Sequence, residues 1–314
     1  MVESARTPPR RTVLTAAAAA VIATAMQAGS AEAASWPVEF PLPNGFQPEG
    51  IAVGRAPYAY MGSRVDGRIL RVDLRTGRGG VLWPGGAGLV SLGMKVDEAG
   101  LLYVAGGGGG SARVIDTSTG KLVATHQFTS TTGHFINDVV LTRGGAWFTD
   151  SRDSYLYVLK GGAVRRLKLR GDWELVPDAN NANGLVATGD GRDLIVVSSA
   201  QGRLYRVDTG TGHATLVDIV GLPDVVNGDG LLRVGPLLYV VQNRLNRIAV
   251  LRLDAEETTA TLVRLITDPR FDVPSTAARF GNRLYLVNAR FTTPPTPETT
   301  YNGVAVRLNG VGTR

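Results

Sequence analysis

Six recurrences of one apolar strand pattern, a period near 45 residues, and a glycine-rich composition without cysteine predict an all-β fold. The expected architecture is a six-bladed β-propeller with four-stranded blades and a ring closed by the N-terminal strand. Aligned on itself, the chain repeats E-G-I-A-V at Glu49, L-G-M-K-V at Leu92, N-D-V-V-L at Asn137, N-G-L-V-A at Asn183, D-G-L-L-R at Asp229 and S-T-A-A-R at Ser275. These anchors lie 43, 45, 46, 46 and 46 residues apart. A second apolar run follows each anchor: A-Y-M-G at Ala59, L-Y-V-A at Leu102, W-F-T-D at Trp147, I-V-V-S at Ile195, L-Y-V-V at Leu238 and L-Y-L-V at Leu284. A third run comes next, and three of these continue into D-x-x-T-G corners at Asp73, Asp116 and Asp208, a turn signal leading into a fourth strand. The sixth unit supplies only three strands. W-P-V-E-F-P-L, beginning at Trp36, is the expected fourth, pairing edges that an open ring would leave bare. An open β-sandwich is the competing arrangement, but it would not repeat the same order of runs six times.

Composition narrows the chemistry. The 314 residues include 40 Gly, 16 Pro and no Cys, which excludes a disulfide framework, zinc–thiolate and iron–sulfur centres, and a cysteine nucleophile. Only His126, His134 and His213 are present, too few for a metal site built mainly of imidazole. The net charge is +6, and its one dense cluster, Arg165, Arg166, Lys168 and Arg170, alternates with apolar residues as on the solvated face of an outer strand. No nucleic-acid partner is expected, and the protein is read as a monomer acting on a small molecule.

Residues 1–33 have the layout of an export signal. Arg10 and Arg11 precede an apolar stretch from Val13 to Met26, and Ala31-Glu32-Ala33 forms a small-x-small cleavage pattern. The stretch is too short and too alanine-rich for a stable membrane anchor. Arg-Arg-x-Val-Leu resembles the twin-arginine signal, although Pro9 stands where that signal usually has Ser or Thr, and an ordinary secretory signal is the alternative. Cleavage is expected after Ala33 or Ala34, leaving residues 34–314 as one exported propeller domain. A chain that folds before export gains no disulfides, in keeping with the absence of cysteine.

In a propeller the innermost strand of each blade lines the central channel, so the six anchors form a ring: Glu49, Leu92, Asn137, Asn183, Asp229 and Ser275. Two carboxylates and two amides are hard oxygen donors suited to Ca²⁺. Another divalent cation could take the place, with zinc second because it favours nitrogen or sulfur. Turn chemistry at the start of a strand would account for any one of these residues. It accounts poorly for four of six equivalent positions carrying oxygen donors.

The segments Q-P-E-G-I-A-V, I-N-D-V-V-L-T-x-x-G-x-x-W-F-T-D-S, N-A-N-G-L-V-A and N-G-D-G-L-L resemble the metal-ligand segments of the gluconolactonase and senescence-marker-protein (regucalcin) family. Its wider superfamily includes diisopropyl fluorophosphatase and paraoxonase. The resemblance extends over roughly residues 40 to 310. It implies that Glu49, Asn137, Asn183 and Asp229 hold one divalent cation, usually calcium in bacterial members, and that Asp229 is the base or nucleophile of a metal-assisted lactone or ester hydrolysis. His134, three residues before Asn137, is a candidate for proton transfer.

Loops joining second to third strands should form the pocket rim, which makes Arg64, Gln242 and Arg290 candidate substrate contacts. Asp150 and Ser151 also fit the family pattern. The run Gly106 to Gly110 lacks the Lys-Ser/Thr of a phosphate cradle and reads as a long turn. A non-catalytic propeller whose metal only stabilises the channel, while its loops bind a ligand or protein, is the alternative function.

Overall fold

The computed structural model describes Met1 and residues 36–130 and 132–308. The expected signal peptide, its twin-arginine pair and its cleavage position lie outside the described residues. The chain divides into residues 1–36 and 37–314, and the second unit contains every strand. No α-helix occurs among the described residues, and no helix there is long and apolar enough to cross a membrane.

Strand β1 (Glu39–Leu42) is followed by the meander β2 (Pro48–Val53), β3 (Tyr58–Ser63), β4 (Ile69–Asp73) and β5 (Arg78–Trp83). The next two meanders are β6 (Met94–Val96), β7 (Leu101–Ala105), β8 (Ser111–Asp116) and β9 (Leu122–Gln127), then β10 (Ile136–Thr142), β11 (Gly145–Asp150), β12 (Tyr155–Lys160) and β13 (Ala163–Lys168). The short β14 (Arg170–Gly171) precedes β15 (Ala182–Ala187), β16 (Leu194–Ser198), β17 (Arg203–Val207) and β18 (His213–Val220). After these come β19 (Gly228–Val234), β20 (Leu237–Gln242), β21 (Arg247–Leu253) and β22 (Thr259–Thr267), and finally β23 (Pro274–Phe280), β24 (Arg283–Asn288) and β25 (Tyr301–Arg307).

Hydrogen bonding groups these strands into five sheets, which corrects the expectation of six four-stranded blades. Four sheets are four-stranded blades: β2 to β5, β6 to β9, β10 to β13, and β1 with β25, β24 and β23. The remainder is one nine-stranded sheet, in which the meanders β15 to β18 and β19 to β22 are joined through their outer strands, with β14 added alongside β18. The join is a parallel pairing of Asp218 with Thr259, Ile219 with Ala260 and Val220 with Thr261. Both outer strands are long, eight and nine residues, and their free edges meet. An unpaired edge gains hydrogen bonds wherever a neighbour comes within reach, and side-chain pattern carries no trace of that.

The cores lie between neighbouring sheets. Trp147, Leu156 and Val158 of the third meander pack against Leu185, Val196 and Tyr205 of the next, and Leu284, Leu286 and Val304 pack against Tyr239, Val241 and Ile248. Strands with both faces between sheets are buried throughout, as in Leu194–Ser198, whereas the outer Leu122–Gln127 is mostly exposed. The inner strands β2, β6, β10, β15, β19 and β23 pack side by side in a closed cycle. Their spacing is tight. A methyl group on Gly50 would fall inside the carbonyl oxygen of Leu92, and one on Gly184 inside that of Asp229. Glycine follows Glu49, Leu92, Asn183 and Asp229 because the next inner strand leaves no room for Cβ.

Candidate functional site

Five inner strands carry the same irregularity. Pairing with the second strand slips between Pro48 and Ile51, Ile136 and Val139, Ala182 and Leu185, Gly228 and Leu231, and Pro274 and Ala277. The residues inside these bulges include Glu49, Asn137, Asn183, Asp229 and Ser275. A bulge re-aims the side chain it carries, and here it delivers Glu49, Asn137, Asn183 and Asp229 to the wall of one cavity of about 540 Å³, which Leu92 also lines without a bulge.

Partners fix the orientation of the donors. The Ser151 hydroxyl donates its one hydrogen to the Ala182 carbonyl at 2.6 Å, so towards Asn137 it can only accept, and the Asn137 amide nitrogen donates to it at 2.8 Å. The amide oxygen of Asn137 is thereby turned the other way. Ser199 repeats the device, donating to the Gly228 carbonyl and accepting from Asn183 Nδ2 at 3.0 Å. In the following meander Asn243 takes the same place, its Nδ2 donating to Asp229 Oδ2 at 2.6 Å. The Ser275 hydroxyl donates to the backbone carbonyl of Glu49.

Burial dominates the electrostatics. Glu49 and Asp229 are 7% and 4% exposed. Burial, with the like charges of Asp229 and Asp138 added, lifts the Glu49 carboxyl well above the usual carboxylate range, against the pull of Arg64 and Lys95. Asp229 is pushed up to about 7, chiefly by burial and further by Asp138, although hydrogen bonds from Asn243 and Asn183 and the charge of Arg64 oppose the rise. Glu49 Oε2 is buried without a hydrogen-bond partner. Asp138, the neighbour of Asn137, is likewise buried, raised chiefly by burial, and has an unpartnered Oδ2, with Lys95 Nζ 4.0 Å from its other oxygen.

Two like-charged buried carboxylates, an orphaned carboxylate oxygen and two oriented amide oxygens fit a hard divalent cation. Among the described residues no group of three or more His, Cys, Asp and Glu side chains is placed to hold a metal, so the donor set rests on the two amides as much as on the two carboxylates.

The other candidates separate. Arg64 lines the cavity, its guanidinium 4.9 Å over the Phe291 ring. Ser151 is buried and acts through Asn137. Asp150 is buried beneath the wall, where it accepts from the backbone of Phe135 and Arg152 and lies 2.7 Å from His134 Nδ1. His134 is thus tied to Asp150, and neither residue lines the cavity. Gln242 is fully buried, donating to the Val226 carbonyl and accepting from Arg247, and serves as a brace instead of a contact surface. Arg290 is held by Asp272 at 2.7 Å and by the Thr300 carbonyl, and lines a separate cavity with Phe271 and Tyr301. Sequence reasoning places Asn243 in a rim loop without giving it a role, and it misses Asp138. The N-D pair at Asn137 was the available signal for Asp138, because Gly or Thr follows every other anchor.

Residues 65–218 match the family described as SMP-30/Gluconolactonase/LRE-like region. Among solved structures, the major allergen Mala s 1 of Malassezia sympodialis superposes with a TM-score of 0.67 at 14% identity, covering 86% of this chain and 96% of that one. A calcium-binding protein, regucalcin, from Agrobacterium tumefaciens strain C58 gives 0.63 at 19% identity, covering 86% and 93%. A luciferin-regenerating enzyme gives 0.61 at 13% identity, covering 88% and 97%. At these identities the likeness is one of fold. No curated protein sequence matches the chain.

Proposed function

On the premise that the chain carries an SMP-30/gluconolactonase/LRE-like region, we propose that it is an exported, calcium-dependent hydrolase of a lactone or related ester. The observation that carries the reading is the convergence of Glu49 and Asp229, both buried and both driven towards neutrality, with Asn137 and Asn183 on one open cavity. Calcium held by Glu49, Asn137, Asn183 and Asp229 would supply Lewis-acid polarisation of the substrate carbonyl.

The chain's own groups account for the rest. Ser151 and Ser199 keep the two amide oxygens turned away from themselves, so the donors are set before any substrate arrives. Asn243 holds one oxygen of Asp229, which steadies this carboxylate as the acceptor of a proton from attacking water. Returned to the ring oxygen, the same proton completes hydrolysis to a hydroxy acid. The signal layout of residues 1–33 supports placing this activity outside the cytoplasm.

The test is a panel of γ- and δ-lactones and aryl esters assayed with calcium, with chelator, and with Asp229→Asn. Calcium-dependent turnover lost in the variant is the expected result. A calcium-raised melting temperature without turnover on any panel member would instead leave a metal-stabilised binding propeller.

A further inference from the structure

The cavity wall changes sign between its buried and exposed parts. Glu49 and Asp229 are buried, whereas Arg64, Arg152 and Arg244 line the same cavity as exposed residues. Each arginine directly follows the last residue of a second strand or the residue beyond it: Ser63, Ser151 and Asn243. The fold therefore presents Arg152 and Arg244 from one repeated position, with Arg64 one residue earlier in its own meander.

Among the described residues none of the three guanidinium groups is paired with a carboxylate. Elsewhere on the surface pairing is common: Arg75 with Asp73, Arg206 with Asp193, and Arg290 with Asp272. Arg290 occupies the equivalent place in the last sheet, and Asp272 has taken it out of use. Arg64 is held over Phe291, which also lines the cavity, so its charge is positioned without a direct ion pair while it pulls on Glu49 and Asp229 from farther away. Unpaired guanidinium groups at the mouth of a cavity are suited to a planar anion, which they can grip with two parallel hydrogen bonds.

We propose that the substrate carries a carboxylate received by Arg64, Arg152 and Arg244, so that the molecule opened is an acid-bearing lactone or ester and not a neutral sugar lactone. This rests on the hydrolase reading above. The buried pair handles the reacting carbonyl, and the exposed arginines handle the acid group and fix which end of the molecule points inwards. A monocarboxylate suits the wall better than a more highly charged phosphate, because Asp178 stands among the exposed lining residues as a like charge.

The test uses the full chain in calcium buffer and a matched pair of γ-lactones, 5-oxotetrahydrofuran-2-carboxylate and γ-valerolactone, which differ only by carboxylate or methyl on one ring carbon. A charge-assisted contact is expected to give the carboxylate lactone at least about tenfold higher kcat/KM, and the ratio should fall towards one in Arg152→Gln combined with Arg244→Gln. Arg55→Gln, which breaks an exposed pair with Glu98, should leave the ratio as it is. Turnover of both lactones at equal efficiency, or a ratio untouched by the double variant, overturns the carboxylate assignment and leaves the hydrolase reading standing. If neither lactone is opened, calorimetry with 5-oxotetrahydrofuran-2-carboxylate separates the two ideas. Binding that the double variant loses keeps carboxylate recognition and removes hydrolysis, and no binding removes both.

Discussion

Replacing Asp229 by Asn is expected to stabilise the protein in chelator while abolishing its response to calcium. Burial holds the Asp229 carboxyl at about 7, whereas in the unfolded chain it titrates near 4. The folded state therefore binds this proton more tightly, and the stability so gained is complete below about pH 4 and is lost as the pH rises through 7. At about 1.4 kcal/mol per pH unit, the ionised carboxylate costs the folded protein about 4 kcal/mol at pH 8. Asn keeps the shape and can accept from Asn243 through its oxygen, so it removes the charge and retains the hydrogen bond. For a domain of this size, with about 2 °C per kcal/mol, the melting temperature in chelator should rise by roughly 8 °C at pH 8 and by only about 3 °C at pH 5. Thermal unfolding of both proteins at the two pH values, with chelator and with calcium, provides the assay. Equal melting temperatures at pH 8 in chelator, or a variant with the wild-type calcium shift, would refute the reasoning.

Further substitutions address the supports of the site. Ser151→Ala or Ser199→Ala removes the acceptor that orients an amide, and calcium affinity measured by calorimetry should fall by roughly tenfold or more. Gln242→Ala should cost about 2 kcal/mol in urea unfolding, because the Val226 carbonyl and Arg247 lose a buried partner, with calcium affinity unchanged. Gly50→Ala would drive Cβ into the Leu92 carbonyl, and a loss of about 3 kcal/mol or failure to accumulate folded protein is expected.

The repeat was legible because side-chain pattern records which strand faces are buried. Anchors one period apart identified the inner strands, and five of the six reached one cavity. What stayed hidden is carried by backbone groups. The pairing of β18 with β22 joined two meanders into one sheet through N–H and C=O groups that every residue has. The bulges were invisible for the same reason, although they decide where Glu49 and Asp229 point. Gln242 and Asn243 show the limit for side chains. Adjacent in sequence and alike in chemistry, they separate because alternation along β20 sends Gln242 inwards against Val226, while Asn243 begins the short 3₁₀ turn that brings it to Asp229. Arg290 was chosen by position, and only the location of Asp272 shows why that position does not serve.

The hydroxyls that steady the donors also reach beyond their own meanders. Ser151 donates forward to Ala182, Ser199 forward to Gly228, and Ser275 across the closure of the chain to Glu49. The aim of Asn137 and of Asn183 is therefore conditional on the next meander being docked. Substitutions in neighbouring sheets should then combine non-additively in metal affinity. A chain cut before β23 would lack Ser275 and its bond to Glu49 while most of its strands were still formed. The site thus reports on the docking of one meander against the next, and partly assembled chains would be silent.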